Sequence, residues 1–223
     1  MLQYFLFNLG DFSLWEVVFM VLTYAVLVLV VLPFHEFAHA LVAYWCGDRT
    51  AKWQGRLTLN PFAHLTLYGT LMLVLCGFGT ARPVPVNPMN FRNRKRDSVL
   101  VALAGPLSNL FLAVASVAIY CVVILVSDSY AVWQIAGMTC LGILLPINVT
   151  LAVFNLLPIP PLDGSRLWST FLPAKWRWTM EQYSQYFILA LFALLLFTNV
   201  LDKPLNLLTV AVEKAIFSLF GLD

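Results

Sequence analysis

A chain of 223 residues that is 61% hydrophobic and 11% charged, with mean hydropathy +0.85, has too few charges to clothe a soluble domain. Several apolar runs reach the roughly 20 residues that carry a helix across a bilayer. The reading is therefore an all-α polytopic membrane protein of about 4–6 transmembrane helices, and the net charge of +2 informs only through where the charges fall.

The opening stretch, "MLQYFLFNLGDFSLWE", has no basic region and no small-residue cleavage site, so no cleavable signal peptide is expected. The first apolar segment runs from about Trp15 to Cys46. Its 32 positions would extend about 48 Å as a helix, against a hydrocarbon core of about 30 Å. Such a helix must tilt, kink at Pro33, or project its far end towards one interface. Residues 47–64 are mixed and turn-rich, with a short strand expected around Arg56–Leu59. Leu65–Gly79 is apolar but short and holds three glycines, and reads as re-entrant or as a weak span. Ala81–Asn87, "ARPVPVN", alternates prolines with valines, which suits an extended edge strand. A re-entrant and β-strand element is thus expected between the first two full spans.

The basic run "FRNRKRD" at residues 91–97 leads into a span from about Ser98 to Val126, and a second runs from about Trp133 to Leu157. The latter gives way to "NLLPIPPLDG", residues 155–164, whose three prolines forbid regular helix. Tyr183–Val200 reads as a span, and Leu205–Leu222 as a span or an interfacial helix. One membrane-embedded domain over 1–223 is expected, with its core at 15–170 and C-terminal helices at 183–222. If the short segment does not cross, residues 47–97 and 164–182 share one side and hold 11 of the 13 Lys and Arg residues. That asymmetry marks the cytoplasmic face of the cell membrane. The "RNRKR" run, beside a span, reads as a topology signal and a partner for anionic lipid rather than for nucleic acid.

Chemistry concentrates at His35-Glu36-Phe37-Ala38-His39. On a helix the two histidines stand at i and i+4, so both imidazoles share a face and grip one metal ion. Glu36 lies beside that ion without being needed as a ligand, where it serves as general base for an activated water. The chain has three histidines in all, and titratable groups within a bilayer are costly enough to read as functional. A catalytic zinc takes three protein ligands. Asp163, at the far end of the Trp133–Leu157 span and on the side of His35 and His39, is the favoured third; its alternative is a surface Asp-Gly turn. The four cysteines form no C-x-x-C pair, which argues against a disulfide framework or a thiolate site.

"HEFAH" in an early membrane helix, followed over a hundred residues later by "FNLLPIPPLDG", resembles the site-2 protease family of intramembrane metalloproteases. "LNPFAH", "ARPVPVNP" and "ALAGPLSN" resemble its compact bacterial and archaeal branch, which lacks PDZ and CBS modules. The resemblance covers most of residues 26–170. It implies one zinc ion held by His35, His39 and Asp163, with Glu36 as catalytic base, and a single-pass transmembrane protein as substrate. Thr66-Leu67 and Ser165 stand where relatives often carry Asp-Pro and a second glycine.

Among the other polar residues, Asn155 reads either as a donor to the substrate carbonyl or oxyanion, or as a partner for backbone freed by the prolines. His64 is either a second polar group at the site or an interfacial histidine with a structural bond. Asn109 and Asn148 read as interhelical glue. Val84 and Val86 are the candidates for holding an unwound substrate by strand addition. The expected activity is zinc-dependent intramembrane peptide hydrolysis. The alternatives are a non-proteolytic metal protein, such as a di-iron oxygenase, which needs more histidines, and a degenerate homologue that binds partners without cutting. A prenyl-protein-type protease would need a later glutamate ligand.

Overall fold

The computed structural model describes residues 21–22, 25–66, 69, 71, 82–126, 132–198 and 200–222. The start of the opening apolar segment and most of the expected re-entrant segment, 65–79, lie outside the described residues. The chain divides into two compact units, one ending at Arg92 and the other beginning at Asn93.

In the first unit, a wide π-turn at Leu27–Val31 leads into helix α1, Leu32–Trp45. Pro33 follows directly on this π-turn, and the helix runs through both without a break. The widened turn before it takes up the proline ring without the sharp break that a proline in mid-helix causes. A two-residue turn closes α1 at Gly47, whose φ of +108° favours glycine. A Cβ there would lie 3.1 Å from the carbonyl of Asn90, so glycine also permits the close approach of that strand of chain. Two short helices follow, α2 at Thr50–Trp53 and α3 at Pro61–His64, then an extended run at 82–87 and a 3₁₀ turn at Pro88–Asn90. Ala40, Ala51 and Val84 form the core of this unit, with Leu57 and Val86 against them.

Asp48 ties the unit together. Its buried carboxylate accepts from the backbone N–H and hydroxyl of Thr50, from the backbone N–H of Asn87 at 2.7 Å, and from the Asn90 amide at 2.8 Å. Burial pushes this carboxyl up, but the hydrogen bonds from Asn90, Thr50 and Asn87 outweigh it and hold the pKa below the ordinary carboxylate value. The tie is therefore complete above the usual carboxylate range and is lost as pH falls through the lowered value.

The two expected strands are not formed, and the described residues contain no strand. Residues 56–60 make the bend between α2 and α3. In the 82–87 run, Pro83 and Pro85 remove two ladder donors. The N–H groups of Arg82, Val84 and Asn87 go instead to the His64 carbonyl, the Glu36 carboxylate and the Asp48 carboxylate.

In the second unit, α4 (Arg94–Val126) packs along α5 (Val132–Asn155), which is also met by α9 (Asp202–Leu219). Between them lie α6 (Asp163–Ser169), packed on α4, and then α7 (Ala174–Gln182) and α8 (Ser184–Phe197). Asn93 and Asp97 start α4: Asp97 accepts from the Asn93 N–H at 2.8 Å, and the Asn93 side chain accepts from the Arg96 N–H at 3.2 Å. Ala113, Val117, Leu145, Val149 and Ile216 form the core. The asparagines expected to act as glue do otherwise. Asn148 donates to the Leu144 carbonyl of its own helix, and the buried Asn109 amide has no partner among the described residues.

Two helices of the described residues are long and apolar enough to cross a bilayer, Leu27–Trp45 and Arg94–Val126. In α4 the most apolar window has mean hydropathy 2.6 yet is 22% buried. Leu107, Phe111, Ile119, Val122 and Leu125 all project outward from it. A soluble core helix of that composition would be covered, so this exposure fits a helix solvated by lipid.

Candidate metal centre

The site begins on α1, where the i, i+4 spacing puts His35 and His39 one turn apart on the buried face of the helix. Their Nε2 atoms lie 3.1 Å apart, with the ring planes at 79° and the centroids 4.7 Å apart. Two imidazole nitrogens of a tetrahedral zinc, each at 2.0–2.1 Å from the ion, stand about 3.3 Å from one another. The pair thus converges its donors on one point at the spacing a shared ion requires.

Glu36 is the next residue along the helix, and the backbone N–H of Val84 donates to its Oε2 at 3.0 Å. This contact spans 48 positions of sequence and fixes the carboxylate beside the two histidines. The extended run that supplies the N–H is itself clamped. Arg56, buried to 5% exposure, donates through Nη2 to the carbonyls of Arg82 and Pro83. Burial and the neighbouring Arg82 push the Arg56 pKa below its ordinary value, while the Glu36 carboxylate pulls it back. His64, fully buried, donates from Nε2 to the Thr58 carbonyl at 2.8 Å and accepts the Arg82 N–H on its own carbonyl at 2.7 Å. Its placement makes it a brace for the 82–84 run.

Arg56 is the residue that sequence reasoning passed over as a topology charge. Its neighbours Gly55 and Leu57 carry no motif, and only the three-dimensional return of residues 82–84 reveals what it holds.

Asp163 and Asn155 belong to the second unit. The prolines end α5 at Asn155, as their ring geometry demands, and a run of turns leads to Asp163, the first residue of α6. The surface Asp-Gly turn is therefore not what forms: Asp163 opens a helix and the next residue, Gly164, is buried. Asn155 donates through Nδ2 to the Leu151 carbonyl at 3.0 Å, one turn back in its own helix, rather than to the proline-rich backbone ahead of it.

The model of peptidase family M50 matches residues 23–130 and 117–198, and so spans both the histidine pair and Asp163. The chain belongs to peptidase family M50. It is 42% identical over 207 residues to YwhC of Bacillus subtilis, named a candidate zinc metalloprotease, covering 89% of this chain and 91% of that protein. Rip2 of Mycobacterium tuberculosis, named likewise, is 36% identical over 174 residues, covering 74% of this chain and 64% of Rip2. An archaeal relative from Methanocaldococcus jannaschii is 31% identical over 144 residues, 62% of this chain and 66% of its own. No solved structure matches.

Membership in this family, the site-2 protease family, makes the chain a membrane-associated metalloprotease with zinc as its cofactor. The converging Nε2 donors of His35 and His39 fit that ion.

Proposed function

We propose that this chain is an intramembrane zinc endopeptidase that cuts single-pass transmembrane proteins within or near their spans. The observation that carries the reading is the Glu36 carboxylate, held by the Val84 N–H one residue from the histidine pair on an apolar helix. A carboxylate in a bilayer is expensive, and one that is oriented rather than neutralised serves chemistry. His35 and His39 supply two zinc ligands and Asp163 the third; a carboxylate oxygen is an ordinary zinc donor, and two imidazoles alone leave the ion short.

Zinc, when bound, supplies a Lewis acid that polarises a carbonyl and acidifies water. Glu36 takes the proton of the attacking water and returns it to the leaving amine. With Oε2 committed to Val84, the carboxylate cannot swing away between these two transfers. Asn155 keeps a second amide N–H beyond the one bonded to Leu151, and we assign it to the substrate carbonyl. The basic residues of 47–97 and 164–182 support a reading in which the chain is a multi-pass cell-membrane protein with its site towards the cytoplasmic face, provided that 65–79 does not cross.

The test is purification followed by metal analysis and cleavage of a model transmembrane substrate. Wild-type protein is expected to hold one zinc ion per chain, and chelation to remove activity that zinc alone restores. His35→Ala and Asp163→Asn are expected to lower zinc content together with cleavage. An Asp163→Asn variant with full zinc and full rate would remove Asp163 from the ligand set.

The strand-addition role falls to Val86 rather than Val84. The Val84 N–H is already given to Glu36, whereas the Val86 N–H has no partner among the described residues. Val86→Pro is expected to raise KM for a transmembrane substrate several-fold with zinc content unchanged, read from steady-state kinetics in detergent. An unchanged KM would show that substrate does not pair here. Val84→Pro does not discriminate, because it strips the base of its own donor.

A further inference from the structure

At the start of α4 three cations gather around one pocket. Lys95 and Arg96 come from its first turns, and Arg177 comes from α7 across the corner that joins α6 to α7. The pocket has a volume of about 660 Å³, and none of its lining residues is acidic. Leu100, Phe171 and Pro173 supply its apolar wall. Arg177 is steadied by a bond from Nη2 to the Leu172 carbonyl at 3.3 Å, and the Lys95 and Arg96 side chains have no acidic partner among the described residues. Three cations around an apolar wall, with no acidic residue lining the pocket, form an amphipathic receptor for an anion with a hydrocarbon tail.

The position of the pocket along α4 identifies the anion. The helix has 33 residues and so is about 50 Å long, well beyond a hydrocarbon core of about 30 Å. Its charged first turns must then stand at headgroup level. The exposed rings of Trp168, Trp176 and Trp178 crowd the same α6–α7 corner, as aromatic side chains do at a membrane interface. We propose that this pocket binds the phosphate headgroup of an anionic phospholipid, with the first carbons of its acyl chains against Leu100 and Phe171. The site is independent of the zinc chemistry and anchors the unit that carries α6.

The experiment titrates the delipidated full chain, in neutral detergent, with dioctanoyl phosphatidylglycerol or dioctanoyl phosphatidylcholine and counts bound lipid by native mass spectrometry. Phosphatidylglycerol is expected to bind at least tenfold more tightly. The combined substitution Lys95→Gln, Arg96→Gln and Arg177→Gln should bring its affinity to that of phosphatidylcholine, with zinc content and helical circular dichroism unchanged. A control with the same charge change elsewhere, Arg49→Gln, Lys203→Gln and Lys214→Gln, should keep the preference. Equal binding of the two lipids by wild type overturns the proposal without recourse to any variant. So does an equal loss in the control, which would mean bulk charge alone. Displacement of phosphatidylglycerol by an equimolar amount of glycerol 3-phosphate would make this a soluble-anion site and overturn the lipid assignment.

Discussion

Glu36→Gln is expected to lower the rate of peptide cleavage by about 10³-fold while leaving zinc content at the wild-type level. A positioned general base contributes roughly 10²–10⁴ in rate, and in the proposed mechanism Glu36 also returns the proton to the leaving amine, so the expected loss lies within that range. Glutamine has the length and shape of glutamate, and its carbonyl oxygen still accepts the Val84 N–H that Oε2 accepts at 3.0 Å in the wild type. The fold around the site should therefore survive, and only basicity is removed. Glu36→Asp asks a different question. It keeps a carboxylate but withdraws it by one methylene from both Val84 and the reacting atoms. A smaller fall is expected, with the pH profile retained, because a base is present but poorly placed. The checks are metal analysis and single-turnover cleavage of a transmembrane substrate across pH. A Gln variant that cuts at a rate within a few-fold of wild type would remove Glu36 from the chemistry, and with it the assignment of proteolysis to this site.

What the amino-acid sequence revealed about this site follows from which interactions are periodic. His35 and His39 are one helical turn apart, and a 3.6-residue repeat needs no tertiary knowledge to place them together. The end of α5 was equally legible: a single proline such as Pro146 is carried inside α5, but Pro158, Pro160 and Pro161 together remove three backbone donors within four residues and end the helix. The apolar length of α4 was legible because the bilayer sets it. Contacts that depend on the chain returning from afar were not. Nothing local to Arg56 announces that it will clamp the carbonyls of Arg82 and Pro83, and the valines of "ARPVPVN" carry the same β-propensity whether paired or not. That run looked like a strand because its residues favour extension. It forms no ladder because Pro83 and Pro85 carry no N–H and the N–H groups of Arg82, Val84 and Asn87 are taken by one distant carbonyl and two carboxylates, which leaves Val86 alone, among the described residues of the run, with a donor to offer. The surface turn weighed as the alternative at Asp163-Gly164 does not form, for a related reason. The dipeptide has turn propensity, but Leu162 before it carries no capping side chain, and the helix that starts there is selected by packing.

Gly164→Ala tests that packing and carries the second large effect. A Cβ at position 164 would lie 2.3 Å from the carbonyl oxygens of both Leu156 and Leu157, far inside any contact that real Cβ atoms make. Both obstacles are backbone, in the turn just beyond α5, so no side-chain rotation relieves them. The start of α6 must move away or the turn must open. Overpacking of this kind costs about 3 kcal/mol or more when the neighbours are fixed. Because Asp163 is the adjoining residue, that displacement carries its carboxylate with it. The expected outcome is a large loss of thermal stability in detergent, accompanied by loss of zinc. Gly142, in α5, supplies the control: a Cβ there meets nothing within 4 Å. Gly142→Ala replaces a helix-interior glycine at no steric cost and should stabilise by about 0.5–1 kcal/mol. If Gly164→Ala melts like wild type and keeps its zinc, then the close approach of α6 to the end of α5 is not what sets the position of Asp163. Stable but zinc-depleted Gly164→Ala protein would instead separate the two roles of this glycine, showing that the fold tolerates the shift while the metal site does not.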